Sequence, residues 1–142
     1  MRLILLILSL TALTQQETKT LDFGAFTIEV PASWKKVKVQ GIDSYVGQIK
    51  IDDRDVIGFD LGRYSNSLRS ENTTAYLDTI DNKSVKLVRP KNSGTGITGN
   101  YIDSIGSTKY GKIKFQLSGN NLNPANEELV MKAIKTIKFS KK

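Results

Sequence analysis

The chain has 142 residues, with 21 lysines and arginines against 14 carboxylates, a net charge of +7, and neither histidine nor cysteine. That composition excludes a serine–histidine triad, a cysteine nucleophile, and zinc or haem ligation of the usual kinds. A basic sum speaks to solubility and non-specific attraction rather than to one ligand, so no specific nucleic-acid partner is expected.

The chain opens "MRLILLILSLTALTQQ", with one cation at Arg2, a greasy run from Leu3 to Leu8 and a mixed small and apolar stretch to Leu13. This has the outline of a secretory signal peptide. Its apolar core of about ten residues is well short of the roughly twenty that cross a bilayer as a helix. Ala12 and Thr14 stand at the small-residue positions before a cut. Cleavage is therefore expected near Thr14/Gln15, leaving residues 15–142 as a single α+β domain in a secreted or periplasmic setting. No transmembrane segment is expected after cleavage. No cysteine is present for a lipid anchor or a disulfide framework.

Period-two alternation dominates the rest of the chain. "FTIEV" sets Phe26, Ile28 and Val30 on one face and Thr27 and Glu29 on the other, and Pro31 ends the run. "VKV" at 37–39, "QIKI" with Ile49 and Ile51, and "VIGFDLGRY" with Ile57, Phe59 and Leu61 continue the pattern. "VKLV" at 85–88 and "IKFQL" at 113–117 complete it. About six short strands joined by tight turns predict an antiparallel sheet with one buried face. Between them, Tyr76, Leu77 and Ile80 suggest the inward face of a shorter middle helix over residues 70–81. At the end, Asn123 can cap and Pro124 can open a helix whose stripe is Val130, Ala133, Ile134 and Ile137. Glu128 stands one turn before Lys132, a spacing that favours pairing.

The opening "FTIEVPASW", the meander of strands and the closing "LVMKAIKTIKF" resemble the layout of the PsbP-like superfamily, carried by Phe26, Ile28, Val30, Pro31, Trp34 and the last helix. The resemblance implies an α/β sandwich with helices over both sheet faces. Members serve as photosynthetic accessory subunits or protein-binding adaptors, and nothing here matches a functional site of either. The chain is equally similar in style to small secreted bacterial proteins.

Several motifs carry chemistry on paper. "SGTGITGN" spells G-x-G-x-x-G with Gly94, Gly96 and Gly99, but Pro90 diverts the chain before it and no helical stripe comes after it. A dinucleotide loop needs both the strand and the helix, so the three glycines are expected to supply positive φ in a loop between strands. Ser33 to Lys36 fits S-x-x-K, with Tyr64-Ser65-Asn66 and Lys109-Tyr110-Gly111 in the order used by penicillin-binding enzymes. Ser33, however, follows a proline in a turn, where a helix start is required.

"DDRD" at 52–55 has the wrong intervals for a calcium loop and reads as a hairpin turn, whose acids should tolerate Asn or Gly. Glu29 and Asp60 could face each other as a hydrolytic pair. Asn72 and Asn82 fit the N-x-S/T acceptor pattern.

No catalytic, cofactor or metal residue is therefore assigned, and no cofactor is expected. Tyr45, Tyr64, Tyr101 and Tyr110, beside glycines or at strand ends, form the candidate ligand face. The functional expectation is a non-catalytic binding or accessory protein whose partner is an unknown protein or an anionic glycan of the cell envelope. The alternatives are a small glycan or cell-wall hydrolase using Asp and Glu, and an immunity or inhibitor protein.

Overall fold

The computed structural model describes residues 15–141, so the expected signal peptide lies outside the described residues. The chain forms β1 (Thr18–Asp22), β2 (Phe26–Pro31), β3 (Lys35–Val37), β4 (Tyr45–Lys50), β5 (Val56–Gly62), β6 (Thr73–Ile80), β7 (Lys83–Pro90), β8 (Ile97–Thr108), β9 (Gly111–Asn120), α1 (Pro124–Ile134) and β10 (Lys138–Phe139). Two antiparallel sheets result, one ordered β1-β2-β10 and the other β3-β4-β5-β9-β8-β7-β6.

The alternation in the sequence explains the core. On the large sheet Ile49, Ile57, Phe59, Phe115, Leu117, Ile102 and Leu87 point to one face, and all are buried. That face is covered by β2, through Phe26, Ile28 and Val30, and by α1, through Val130, Met131 and Ile134. Phe26 makes edge contacts with Phe59 at 4.9 Å and Phe115 at 5.0 Å between ring centroids, an arrangement aromatic rings favour. Asn123 caps α1 as expected, its side chain accepting from the Ala125 N–H. Glu128, however, pairs with Arg89 at 2.6 Å across to β7.

The expected fold needs two corrections. The protein is mostly β, with ten strands in two sheets instead of about six in one, and α1 is the single helix among the described residues. Residues 73–80 form β6, not a middle helix. Four of these eight are β-branched (Thr73, Thr74, Thr79, Ile80) and Tyr76 is aromatic, a composition that favours a strand. Asp81 and Asn82, at φ 48° and 61°, then close a two-residue turn of the kind that matches strand twist. Of the three residues assigned to a helical face, Ile80 is buried while Leu77 is 78% exposed, because strand alternation turns Ile80 to the core face and Leu77 to the opposite face at the edge of the sheet.

To reach the far edge, the connection 63–72 crosses the second face of the large sheet. Ser65 is buried there and donates to the Asp60 carbonyl at 3.0 Å, and the Lys86 ammonium donates to the Ser67 carbonyl. Leu68, at φ 57°, is buried beneath the crossing.

Candidate functional site

The register divides the loops between two ends. One end gathers the β1–β2 turn, the start of β4, the end of β5, the β6–β7 and β8–β9 turns and β10. The other holds the turn after β2, the Asp52–Asp55 turn, the glycine loop and the start of α1.

At the first end a cleft of about 440 Å³ opens between β10, β5 and the β8–β9 hairpin. Its apolar walls are Ala25, Leu61, Ile105, Ile113 and Phe139, and Ser107, Thr108 and Ser140 form a polar lip. The cleft exists because β8 changes register with β9 between Ile102 and Gly106, an irregularity that bends a hairpin arm. Phe139 rests edge-on against Phe115 at 5.1 Å, so the floor is the aromatic core itself. A volume in the range of roughly 300–1,000 Å³ with apolar walls and few polar groups is that of a small-ligand site. A larger trough of about 650 Å³ lies nearby between Lys38–Gly41 and Ser44–Val46. Its walls are the loop after β3 and the adjoining start of β4, so it draws on a single stretch of chain, whereas the cleft draws on several separate strands.

Among the described residues no charged side chain lines the cleft, but three cations stand in its neighbourhood, one of them over the wall residue Phe139. The Lys83 ammonium lies 5.3 Å from the Phe139 ring, the Arg63 guanidinium 5.3 Å from the Tyr64 ring and 5.8 Å from the Tyr110 ring, and the Lys109 ammonium 4.8 Å from Tyr110. No carboxylate lines the cleft among the described residues. Asp81 is occupied in accepting the Phe139 N–H at 2.8 Å, and Asp103 pairs with Lys112 at 2.8 Å. That pairing, with the hydrogen bond from Tyr101, holds the Asp103 carboxyl below the usual carboxylate range. The opposite end carries Asp52, Asp53, Asp55, Glu127 and Glu128, of which Asp53, Asp55 and Glu128 stand beside Lys50, Arg54 and Arg89.

The four candidate tyrosines separate into two groups. Tyr64 and Tyr110, 78% and 62% exposed, meet through Arg63 beside the cleft. Tyr45 donates its hydroxyl to the Phe23 carbonyl at 2.8 Å and sets its ring on Phe59, which makes it a cap on the core. Tyr101 lies on the crossed face of the sheet, with its hydroxyl on Asp103 at 3.1 Å and Lys86 5.5 Å from its ring. Burial first, then the acceptor Asp103, pushes its hydroxyl pKa up, and burial with the charge of Arg69 pushes that of Lys86 down.

The remaining sequence candidates are also resolved by the fold. Ser33 sits at the opposite end of the large sheet from Tyr64 and Lys109, so the penicillin-binding order does not converge. Glu29 points outward from the small sheet and Asp60 toward the crossed face of the large one, so they do not face each other as supposed. Gly94 and Gly96 take φ of 86° and 121°, but Gly99 lies inside β8 with no positive φ and serves close packing instead. Its expected role is thereby corrected. No group of three His, Cys, Asp or Glu is placed to hold a metal ion among the described residues.

The Asp52 carboxylate accepts the N–H groups of Arg54 and Asp55, at 2.9 and 2.7 Å, and Asp55 accepts from Asn123 N–H and Asn126 Nδ2, both at 2.8 Å. The stretch is a turn between β4 and β5, as expected, with Asp52 exposed and its carboxylate bonded within the turn. Free substitution of Asp55 is corrected, since it is buried and ties the turn to the start of α1.

Sequence reasoning missed the cleft and Arg63. Its four large apolar walls come from β5, both arms of the β8–β9 hairpin and β10, which no local pattern unites. The Gly62-Arg63-Tyr64 run was the available signal for the rim. Comparison of the chain with protein-family models, curated proteins and solved structures finds no match.

Proposed function

We propose that this is a non-catalytic binding protein of the cell envelope or extracellular space, whose ligand is an amphiphile with an apolar chain and a carboxylate or phosphate head. The observation that carries the reading is the apolar cleft, lined by no charged residue among those described, with the Lys83 ammonium 5.3 Å from the ring of its wall residue Phe139 and with Arg63 and Lys109 gathered on Tyr110 next to the wall residue Thr108. The chain of the ligand lies against Leu61, Ile105, Ile113 and Phe139, and its head reaches the rim. An acylated anionic glycan and a single-chain lipid share this chemistry. What supports a PsbP-like kinship is layout alone, the opening strand with Pro31 and Trp34 and the closing helix.

Magnitudes assign the roles of chain and head. Each buried methylene contributes about 0.8 kcal/mol, whereas an exposed ion pair contributes roughly 0.2–1 kcal/mol. The chain therefore sets affinity, and the rim sets the sign of the head. Calorimetric titration with carboxylates of increasing length should show affinity rising about fifteenfold per two methylenes until the cleft is full. A trimethylammonium amphiphile of equal length should bind more weakly, and Arg63→Glu should erase that preference. Affinity independent of both chain length and head charge would overturn the reading. Binding of alkyl phosphates but not free phosphate would place the ligand among lipids or acylated glycans, and the reverse result would also count against it.

A further inference from the structure

β6 is the last strand of the large sheet, and among the described residues nothing pairs with its outer edge. The register settles which of its backbone groups face outward. The two-residue turn Asp81–Asn82 makes Ile80 and Lys83 the closing hydrogen-bonded pair, and in an antiparallel ladder such pairs alternate. Residues 74, 76, 78 and 80 therefore bond to β7, while Thr73, Ala75, Leu77 and Thr79 aim their N–H and C=O groups off the sheet. Two contacts agree with this assignment. The carbonyl of Asn72, an even position, accepts from Lys91 N–H on the inner side, and the Thr79 N–H, an odd one, turns to the Asp78 carboxylate at 2.7 Å.

The edges elsewhere carry lysine, a common guard against strand pairing: Lys19 on β1, Lys35 and Lys36 on β3, and Lys138 on the two-residue β10. β6 has neither Lys nor Arg. In a chain of net charge +7, residues 70–82 contain Glu71, Asp78 and Asp81 and no cation. The cations of neighbouring β7 already have partners, Lys83 over Phe139, Lys86 on the Ser67 carbonyl, and Arg89 on Glu128 and the Tyr76 hydroxyl, which leaves the ring face of Tyr76 and the Asp78 carboxylate without a cation among the described residues. Strand alternation places Ala75 and the exposed Leu77 on one face, and Tyr76 and Asp78 on the other.

We propose that β6 accepts an extended segment of a partner protein as an added strand, and that this segment alternates apolar with lysine or arginine side chains. Apolar residues of the segment cover Ala75 and Leu77. Its cations meet Asp78 and the face of Tyr76, and backbone hydrogen bonds to Ala75 and Leu77 supply the pairing. This surface is separate from the amphiphile cleft and does not depend on it.

The test is an amide NMR titration of the protein with a capped peptide of alternating valine and lysine. Saturable shifts are expected along Thr73–Thr79, and replacing the lysines of the peptide by glutamate should weaken binding about fivefold. Ala75→Pro removes an N–H that faces outward, a change edge strands tolerate, so the fold should persist while peptide affinity falls at least about tenfold. Leu77→Lys restores a guard and should give the same loss, which keeps the test valid if the proline variant fails to fold. The proposal is overturned if no shifts occur, if they fall elsewhere, if both variants bind as the parent does, or if β6 is instead filled by a second copy in concentrated protein without peptide.

Discussion

Asp55→Ala is expected to destabilise the protein by about 3 kcal/mol, a large fraction of the stability of a small domain. Asp55 is 4% exposed, and its Oδ2 accepts both the Asn123 N–H, at the cap of α1, and the Asn126 side chain. Alanine leaves the Asn123 N–H without its side-chain acceptor and Asn126 with Asp52 alone, and so removes most of the tie between the β4–β5 turn and the start of the helix. Asp55→Asn, which can keep an oxygen at that position, should cost less than half as much. The check is the denaturant midpoint at constant slope, since an unchanged slope identifies a loss of stability without a change in the surface exposed. An alanine variant within about 0.5 kcal/mol of the parent would show that the turn is as replaceable as its composition suggests.

Asp52 supplies a companion measurement. Hydrogen bonds from the Asp55 N–H, the Asn126 side chain and the Arg54 N–H hold its carboxyl below its usual value of 3.8. A depressed folded pKa contributes stability that is present above the unfolded value and lost as pH falls through the folded one. The difference in melting temperature between the parent and Asp52→Asn should therefore be present at neutral pH and shrink below about pH 4.

Gly99→Ala is the second change expected to be severe. A Cβ at this position would lie 2.3 Å from the Leu117 carbonyl oxygen and 2.6 Å from the Ser118 Cβ, both on β9. Backbone cannot rotate away as a side-chain tip can, so β8 and β9 must separate where they position the core residues Ile102, Phe115 and Leu117. A cost of about 3 kcal/mol or more is expected. Gly96→Ala meets Pro90 Cβ at 3.1 Å and a φ of 121°, and Gly94→Ala meets only ordinary contacts at a φ of 86°. The order of damage should accordingly be Gly99, then Gly96, then Gly94, read from melting temperatures of the three variants. Gly99→Ala as the mildest of the three would contradict the strand assignment of that residue.

That ranking also shows where sequence patterns stop being informative. Three glycines in one short run look alike, yet two serve the loop and one serves the contact between neighbouring strands, a distinction that depends on Leu117, far along the chain. Elements with a buried side were readable: β2 through Phe26, Ile28 and Val30, β9 through Phe115 and Leu117, and α1 through Asn123, Pro124 and its stripe. β6 was not, because an exposed edge strand carries no burial period, and the accidental spacing of Tyr76, Leu77 and Ile80 imitates a helix. Tyr64 and Tyr110 could be noticed singly, but their meeting through Arg63 follows from the antiparallel pairing of β5 with β9. The cleft is less legible still, since Leu61, Ile113 and Phe139 are ordinary core residues by sequence. Only the register change in β8 leaves a space between them.

The proposed role rests on that space being occupied by an anionic amphiphile. The most direct measurement is titration of nitrogen-labelled protein with a long-chain carboxylate, followed by amide NMR. The expected result is a saturable set of shifts at Leu61, Ile105, Ile113 and Phe139, joined at the rim by Arg63, Lys83 and Lys109, reaching its limit at one ligand per chain. Shifts confined to the Lys38–Val46 trough or scattered over the lysine-bearing surface, or no saturable shifts at all, would contradict it.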